Sequence, residues 1–283
     1  MNNSDVNCKN LPNTLSSFID TFVDFSVAGI FLPDPPSPPF SQTTYPPPDR
    51  LIAVGDLHGD LFKSKQALRL AGLIDADDRW SGGSSVLVQV GDVLDRGGQE
   101  IKILYFLEKL KRQAVKDGGN VITMNGNHEI MNLDGNFFCT FPSGFEEFKN
   151  WAYWYTTGLK DGVSSNLVRG RNSVVWNRKF SNKAVEDCDC SVLEHVLATI
   201  PGARRMIMGH TIQTGGINAV CDGKAVRIDV GMSQGCINGL PEVLEITGNS
   251  HLQVLTSKPV YDSGRQDLVV PEELKVLEVQ VKA

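Results

Sequence analysis

Three short loops of this chain set carboxylate, imidazole and amide side chains between glycines: Gly55-Asp56-Leu57-His58-Gly59, Gly91-Asp92-Val93-Leu94-Asp95-Arg96-Gly97 and Gly126-Asn127-His128-Glu129. A fourth, Gly209-His210-Thr211, has the same character but carries less by itself. Mixed Asp, His and Asn donors suit divalent ions of intermediate hardness (manganese, iron or zinc) and are the wrong set for a thiolate zinc site. Two such ions about 3.5 to 4 Å apart, bridged by a carboxylate, make a water between them a nucleophile for in-line attack on phosphorus. Phosphate ester hydrolysis is the chemistry this set suits. The competing reading, ordinary turn and cap residues, requires three unrelated loops to share one composition by chance.

What must position these loops is a sheet. Leu51 to Val54 is a short buried-strand run ending in Gly-Asp, and a helical stretch from Leu61 to Ala71 follows it, closed by Gly72. Ser85 to Val90 reads as a second strand, Gln99 to Lys116 as a helix, and Asn120 to Met124 as a third strand. Strand, loop and helix in repetition predict a parallel sheet, whose loops converge at the carboxyl edge of the strands. Further on come an aromatic helix from Ser143 to Tyr155, a helix from Ser191 to Ile200, and a strand from Arg204 to Met208 that ends at Gly209-His210. Two hairpins follow, turning at Asp222-Gly223 and Gly248-Asn249.

The remainder of the chain bounds its surroundings. Residues 1–32 carry Leu15, Phe18, Ile19 and Phe22 at helix-face spacing, and eight of the fourteen prolines fall between Pro33 and Pro48, a linker over 33–49. A body over 50–257 and a tail over 258–283 complete the division. Lys plus Arg number 27 against 33 Asp plus Glu, so the net charge of -6 gives no positive field to select nucleic acid or an anionic membrane. The six cysteines are scattered through a chain too long to need staples and read as reduced thiols. The Cys188-Asp189-Cys190 pair has no second matched pair beside it in sequence and reads as loop thiols. A cytoplasmic protein is the expectation.

The three motifs, with Asp92 36 positions after Asp56 and Asn127 35 positions after Asp92, resemble the signatures of the phosphoprotein phosphatase family. The stretches IAVGDLHGD, VQVGDVLDRGG, TMNGNHEIMN, RNSVVWNRKF and RMIMGHTIQ are similar to the plant members of its Shewanella-like group. The resemblance implies an α/β fold of the calcineurin-like metallophosphoesterase kind, a β-sandwich of mixed sheets flanked by helices. It implies two divalent ions, manganese first and iron or zinc next. Asp56 and His58 would hold the first, Asp92 would bridge, and Asn127 and His210 would hold the second. By the same carry-over His128 is the general acid, Asp95 orients its ring, and Arg96, Arg178 and Asn127 bind the substrate phosphate. The implied substrate is a phosphoprotein on Ser, Thr or Tyr. A nucleotide or dinucleoside polyphosphate esterase and a non-catalytic phosphoprotein-binding form are the alternatives.

The chain departs from the family in one place. Relatives carry a further His, in a His-Gly-Gly sequence, on the second ion, and it should fall between the GNHE motif and Asn172. The five histidines here are His58, His128, His195, His210 and His251, and none lies in that interval. The stretch from Gly158 to Gly170 is also much shorter than in relatives. The expectations are an internal deletion, at least one sheet strand fewer, and a weakened second metal site.

Overall fold

The computed structural model describes residues 44–155, 170, 173–182, 188–248, 251–257 and 276–277. The amphipathic pattern of 1–32, most of the proline linker, and all but Gly170 of the shortened stretch lie outside them. Strand β1 (Arg50–Val54) leads into helix α1 (Leu61–Leu70), whose N-cap Asp60 accepts a hydrogen bond from the Lys63 amide. Strand β2 (Val86–Gln89), helix α2 (Glu100–Lys116) and strand β3 (Asn120–Thr123) follow. Gly118, with φ of 78°, allows the chain to leave α2 in the left-handed conformation a helix end favours. Next come helices α3 (Asn127–Leu133), α4 (Pro142–Tyr155) and α5 (Cys190–Ala198). Strands β4 (Met206–Met208), β5 (Asn218–Val220), β6 (Ala225–Arg227), β7 (Glu242–Thr247), β8 (His251–Thr256) and β9 (Val276–Leu277) complete the order.

The strands make two sheets. The larger has the order β3-β2-β1-β7-β8-β9, parallel from β3 to β1 and antiparallel from β7 on. The smaller has the order β4-β6-β5. Alternation along β1 decides the layering, because successive side chains of a strand point to opposite faces. Ile52 and Val54 join Leu87, Val121 and the helix residues Ala67, Leu68, Ile103, Phe106 and Leu110 in one core. Ala53 instead meets Val226, Ile228 and Leu244 in a second core between the sheets. A third core sets Leu193 and Leu197 of α5 against Val220 and Ala225. The layers are therefore helix, six-stranded sheet, three-stranded sheet and helix, a β-sandwich of mixed sheets flanked by helices.

Among the described residues the second sheet is only three strands wide, and its β4 edge is half-buried at Met206, Ile207 and Met208. No described helix is long and apolar enough to cross a membrane.

Two readings of the sequence need correction. Cys190 and Cys221 form a disulfide across a separation of 31 residues, where reduced thiols are expected. Composition and chain length cannot reveal this pair, because it is tertiary packing of α5 on the β5–β6 hairpin that brings the two sulfurs together. The stretch beginning Gly126-Asn127 is not only a loop, since Asn127 already opens α3.

One buried group on α2 gives a testable pH effect. Glu100 is fully buried, with the Glu147 carboxyl group beside it. Burial, with the neighbouring Glu147 carboxylate adding to it, pushes its pKa from 4.5 to about 7. Between those values the folded protein holds a proton that the unfolded chain has released. Stability therefore falls as pH rises from about 4.5 to about 7 and levels off above, a loss on the order of 3 kcal/mol. Glu100→Gln should flatten that slope and be the more stable protein at neutral pH, as read from urea unfolding at pH 5 and pH 8; an unchanged slope would contradict this.

Candidate metal centre and active site

Each candidate loop leaves the carboxyl end of a strand, and the backbone ties the loops to one another. Leu57 and His58 amides both donate to the Asp92 carbonyl at 3.0 Å, and the Gly59 amide donates to the Val93 carbonyl at 2.8 Å. The His128 amide donates to Asp92 Oδ1 at 2.9 Å, and the His210 amide meets both oxygens of Asp56 at 3.2 Å. Such close approach requires glycine: a Cβ on Gly126 would collide with Asp92 Oδ1, and one on Gly209 with Asp56 Oδ1.

The backbone is also held in a conformation that L residues avoid. His58, Asp92, Asp95, Arg96 and His210 have φ of 46°, 56°, 67°, 60° and 68°. Each costs on the order of 1 kcal/mol or more, and such strain persists only where surrounding contacts enforce it. Five candidates sharing it is what a site assembled for side-chain direction looks like.

Asp56, His58, Asp92, Asp95, Asn127 and His128 are all buried. His58 Nδ1 lies 2.9 Å from the Leu94 carbonyl, which fixes the proton there and leaves the Nε2 lone pair free. Burial, helped by the Arg96 charge, lowers its pKa to about 4, so the ring is neutral. Nε2 sits 3.8 Å from Asp56 Oδ2 and is met by Arg96 Nη1 at 2.9 Å. His128 Nδ1 is 2.7 Å from Asp95 Oδ2, while Asp95 Oδ1 accepts from Thr140 Oγ1 at 2.6 Å and Asn132 Nδ2 at 3.0 Å. Burial pushes the Asp95 pKa up, but these donors outweigh it and hold Asp95 below its ordinary value.

The site is crowded with acceptors. Burial, then Asp229, then Asp92 raise the Asp56 pKa well above the ordinary range. Burial would raise Asp92 too, but His210, His128 and His58 hold it at about 2. The Asn127 side-chain amide lies against Asp92 Oδ2 and His210 Nδ1, and with its NH2 turned toward them it donates to Asp92 Oδ2 at 3.0 Å. Among the described residues His210 Nε2 is buried without a partner, and His210 Nδ1 lies 3.9 Å from Asp92 Oδ2. Donor atoms of His58, Asp92 and His128 lie within 4.8 Å of one another, a grouping that could hold a metal ion. Neutral imidazoles, paired carboxylates and an amide oxygen together fit divalent cations well.

Arg178 stands apart. It is exposed, in the turn after Trp176, and its side chain makes no hydrogen bond or ion pair among the described residues. Trp176 stacks edge-on against His210 at 5.4 Å, so this turn borders the site without Arg178 entering it.

Two residues absent from the candidates organise the centre. Glu129 Oε2 accepts from the Asp92 and Gly126 amides at 2.8 and 2.7 Å, and Oε1 from the Val93 and Leu94 amides at 2.8 and 3.0 Å. Its signal is its place three residues after the helix N-cap, where a Glu reaches back to backbone donors. Asp229, 2% exposed, interacts with both Asp56 and Asp92, and the Gly231 amide donates to its Oδ1 at 2.8 Å. A carboxylate just past β6 and shortly before a glycine repeats the pattern of the other loops.

Comparison with known proteins agrees with this geometry. A model of the calcineurin-like phosphoesterase family matches residues 49–213. Shewanella-like protein phosphatase 2 of Arabidopsis thaliana is 44% identical over 362 aligned positions, covering 94% of this chain and 93% of that one. That aligned span exceeds the 283 residues here, so the relative carries segments that this chain lacks. An uncharacterized Schizosaccharomyces pombe protein is 27% identical over 71% of this chain and 78% of its own. The fold is shared with a cold-active protein-tyrosine phosphatase of a psychrophilic Shewanella, with a TM-score of 0.57 at 20% identity, covering 75% of this chain and 78% of that one. With the match running over more than half of its length, this chain belongs to the calcineurin-like phosphoesterase family.

Proposed function

We propose that this protein hydrolyses phosphate monoesters on phosphoproteins, with two divalent cations, manganese first among them, held at the strand tips. The observation that carries the reading is the convergence of Asp56, His58, Asp92, Asn127 and His210 at the strand tips, where donor atoms of His58, Asp92 and His128 lie within 4.8 Å of one another. Membership in a family of metal-dependent phosphoesterases supports hydrolysis, and the name of the Arabidopsis relative supports a phosphoprotein as substrate. Bound divalent ions supply Lewis acidity and an activated water at neutral pH.

The residues divide the work. Asp56, His58 and Asp92 would hold the first ion, and Asp92, Asn127 and His210 the second. With the further family histidine missing, the second set has one imidazole and would bind more weakly. Arg96, whose Nη1 now meets His58 Nε2, offers its fork to the phosphoryl oxygens once that lone pair is engaged. Arg178 joins it by swinging in from the surface. His128 gives the proton at Nε2 to the leaving oxygen while Asp95 holds Nδ1, so the ring keeps one orientation.

That last role predicts a leaving-group dependence. Asp95→Asn should lower kcat by about 10²-fold or more on phosphoserine peptides, whose alkoxide needs a proton. The loss should be much smaller on p-nitrophenyl phosphate, whose phenolate leaves unaided. Equal losses on both substrates would remove His128 from the proton-donor role. Comparing manganese-dependent turnover of phosphopeptides with that of dinucleoside polyphosphates tests the substrate class, and faster turnover of the nucleotide would overturn the phosphoprotein assignment.

A further inference from the structure

We infer that Cys188, Cys190 and Cys221, when reduced, form a thiolate site for a thiophilic cation, zinc(II) foremost, that clips helix α5 to the β5–β6 hairpin. This site is separate from the strand-tip centre and independent of the phosphoesterase reading. Cys190 is the first residue of α5, Cys188 lies two residues before it, and Cys221 directly follows β5. Their sulfur atoms all lie within 4.8 Å of one another. The Cys190–Cys221 disulfide uses only two of them, and Cys188 Sγ remains a thiol 3.3 Å from Cys221 Sγ. Three sulfurs drawn from two packed elements exceed what a disulfide needs.

The spacing suits an ion. Ligand sulfurs at ~2.3 Å from tetrahedral zinc lie roughly 3.8 Å from one another. Once the disulfide is reduced, small side-chain rotations bring all three to that separation. Cys188 and Cys221 are half-buried, packed against the core of Leu193, Leu197, Val220 and Ala225, while Cys190 faces solvent. The set therefore has a floor and one open side, where water can complete four-coordination. Charge agrees as well. Three thiolates around a divalent ion leave one negative charge, and the buried guanidinium of Arg227 lies close by. Burial pushes the Cys188 thiol pKa up, and the Arg227 charge draws it back toward the thiolate.

The two states exclude each other by chemistry. A small-molecule disulfide oxidises the site by accepting the attack of one protein thiolate and releasing one small thiolate. The second protein thiolate then displaces the other, forming the Cys190–Cys221 bond. The two electrons leave on the two small thiols, and the cation loses two of its three ligands. In either state α5 is tied to the smaller sheet, by a bond or by an ion.

The full-length protein, reduced with a phosphine that is then removed, can be titrated with cadmium(II), whose sulfur-to-metal absorption carboxylates and imidazoles do not produce. The expected absorption saturates at one equivalent per chain, is bleached by competing zinc, and is missing from the disulfide form. Cys188→Ser should weaken binding by about 10- to 100-fold, and Cys188→Ser with Cys190→Ser should abolish it, while Cys139→Ser leaves it intact. No saturable absorption in the reduced wild type, or an unchanged one in the folded double variant, overturns the proposal. Alkylation of the reduced wild type needs no variant: zinc should slow modification of Cys188, Cys190 and Cys221 relative to Cys139, and equal rates with and without zinc would also overturn it.

Discussion

Asp92→Asn should lower kcat for p-nitrophenyl phosphate with manganese by at least about 10³-fold, the largest catalytic loss of any single substitution here. Asp92 meets side chains or backbone from three of the other loops at once. Its Oδ1 accepts the His128 amide, its Oδ2 faces Asn127 and His210, and its carbonyl accepts the Leu57 and His58 amides. The substitution keeps the shape and hydrogen-bonding size but removes the negative charge that the proposed cation pair would share. An unchanged thermal midpoint alongside lost turnover, measured on the same preparation without added metal, separates the chemical effect from misfolding. Turnover within tenfold of wild type would mean that Asp92 bridges nothing.

The largest expected loss of stability belongs to Glu129→Ala. Four amides, those of Asp92, Val93 and Leu94 buried and that of Gly126 half-buried, give their hydrogen bonds to this one carboxylate. Burial, then the Asp92 charge, raise its pKa above the ordinary value, and the Leu94, Gly126 and Asp92 amides pull back against them. With four donors around it, the ionised form is the one the geometry accommodates. A buried donor left without a partner costs roughly 1–3 kcal/mol, so losing all four reaches the whole ~5–15 kcal/mol that holds a domain together. Glu129→Gln is not a gentle control, because each carboxylate oxygen serves two amides and either placement of the NH2 group confronts two donors. Urea unfolding should find the Ala variant unfolded or nearly so in buffer, and the Gln variant weakened by several kcal/mol. A midpoint shift below about 1 kcal/mol for Ala would show that water can replace the carboxylate.

What the amino-acid order discloses about this molecule follows from what is local. Asp56, His58, Asp92 and Asn127 could be read because each sits at a strand-to-loop junction marked by glycine, and a parallel sheet brings such junctions together. The unbroken apolar run of β1, Leu51 to Val54, announces that both faces of its sheet are covered, which makes a layered α/β body legible. The role of Glu129 is only partly local, because three of its four amide partners lie 35 to 37 positions earlier. Asp229 was passed over because its carboxylate acquires meaning only when β6 is laid beside β1 by the sandwich. The Cys190–Cys221 pair depends on the docking of α5, which no periodicity encodes. Arg178 rests on its motif position alone, since its side chain lies exposed on a turn bordering the site.

The proposed function requires the strand-tip side chains to hold cations, one firmly and a second loosely. Calorimetric titration of manganese into the disulfide form, in which the cysteine cluster cannot compete, is the decisive experiment. The expected isotherm has one tight site, a second at least about tenfold weaker, and neither in Asp92→Asn. Two equally tight sites would restore a complete second ligand set, and an absence of binding to the wild type would contradict the metal centre altogether.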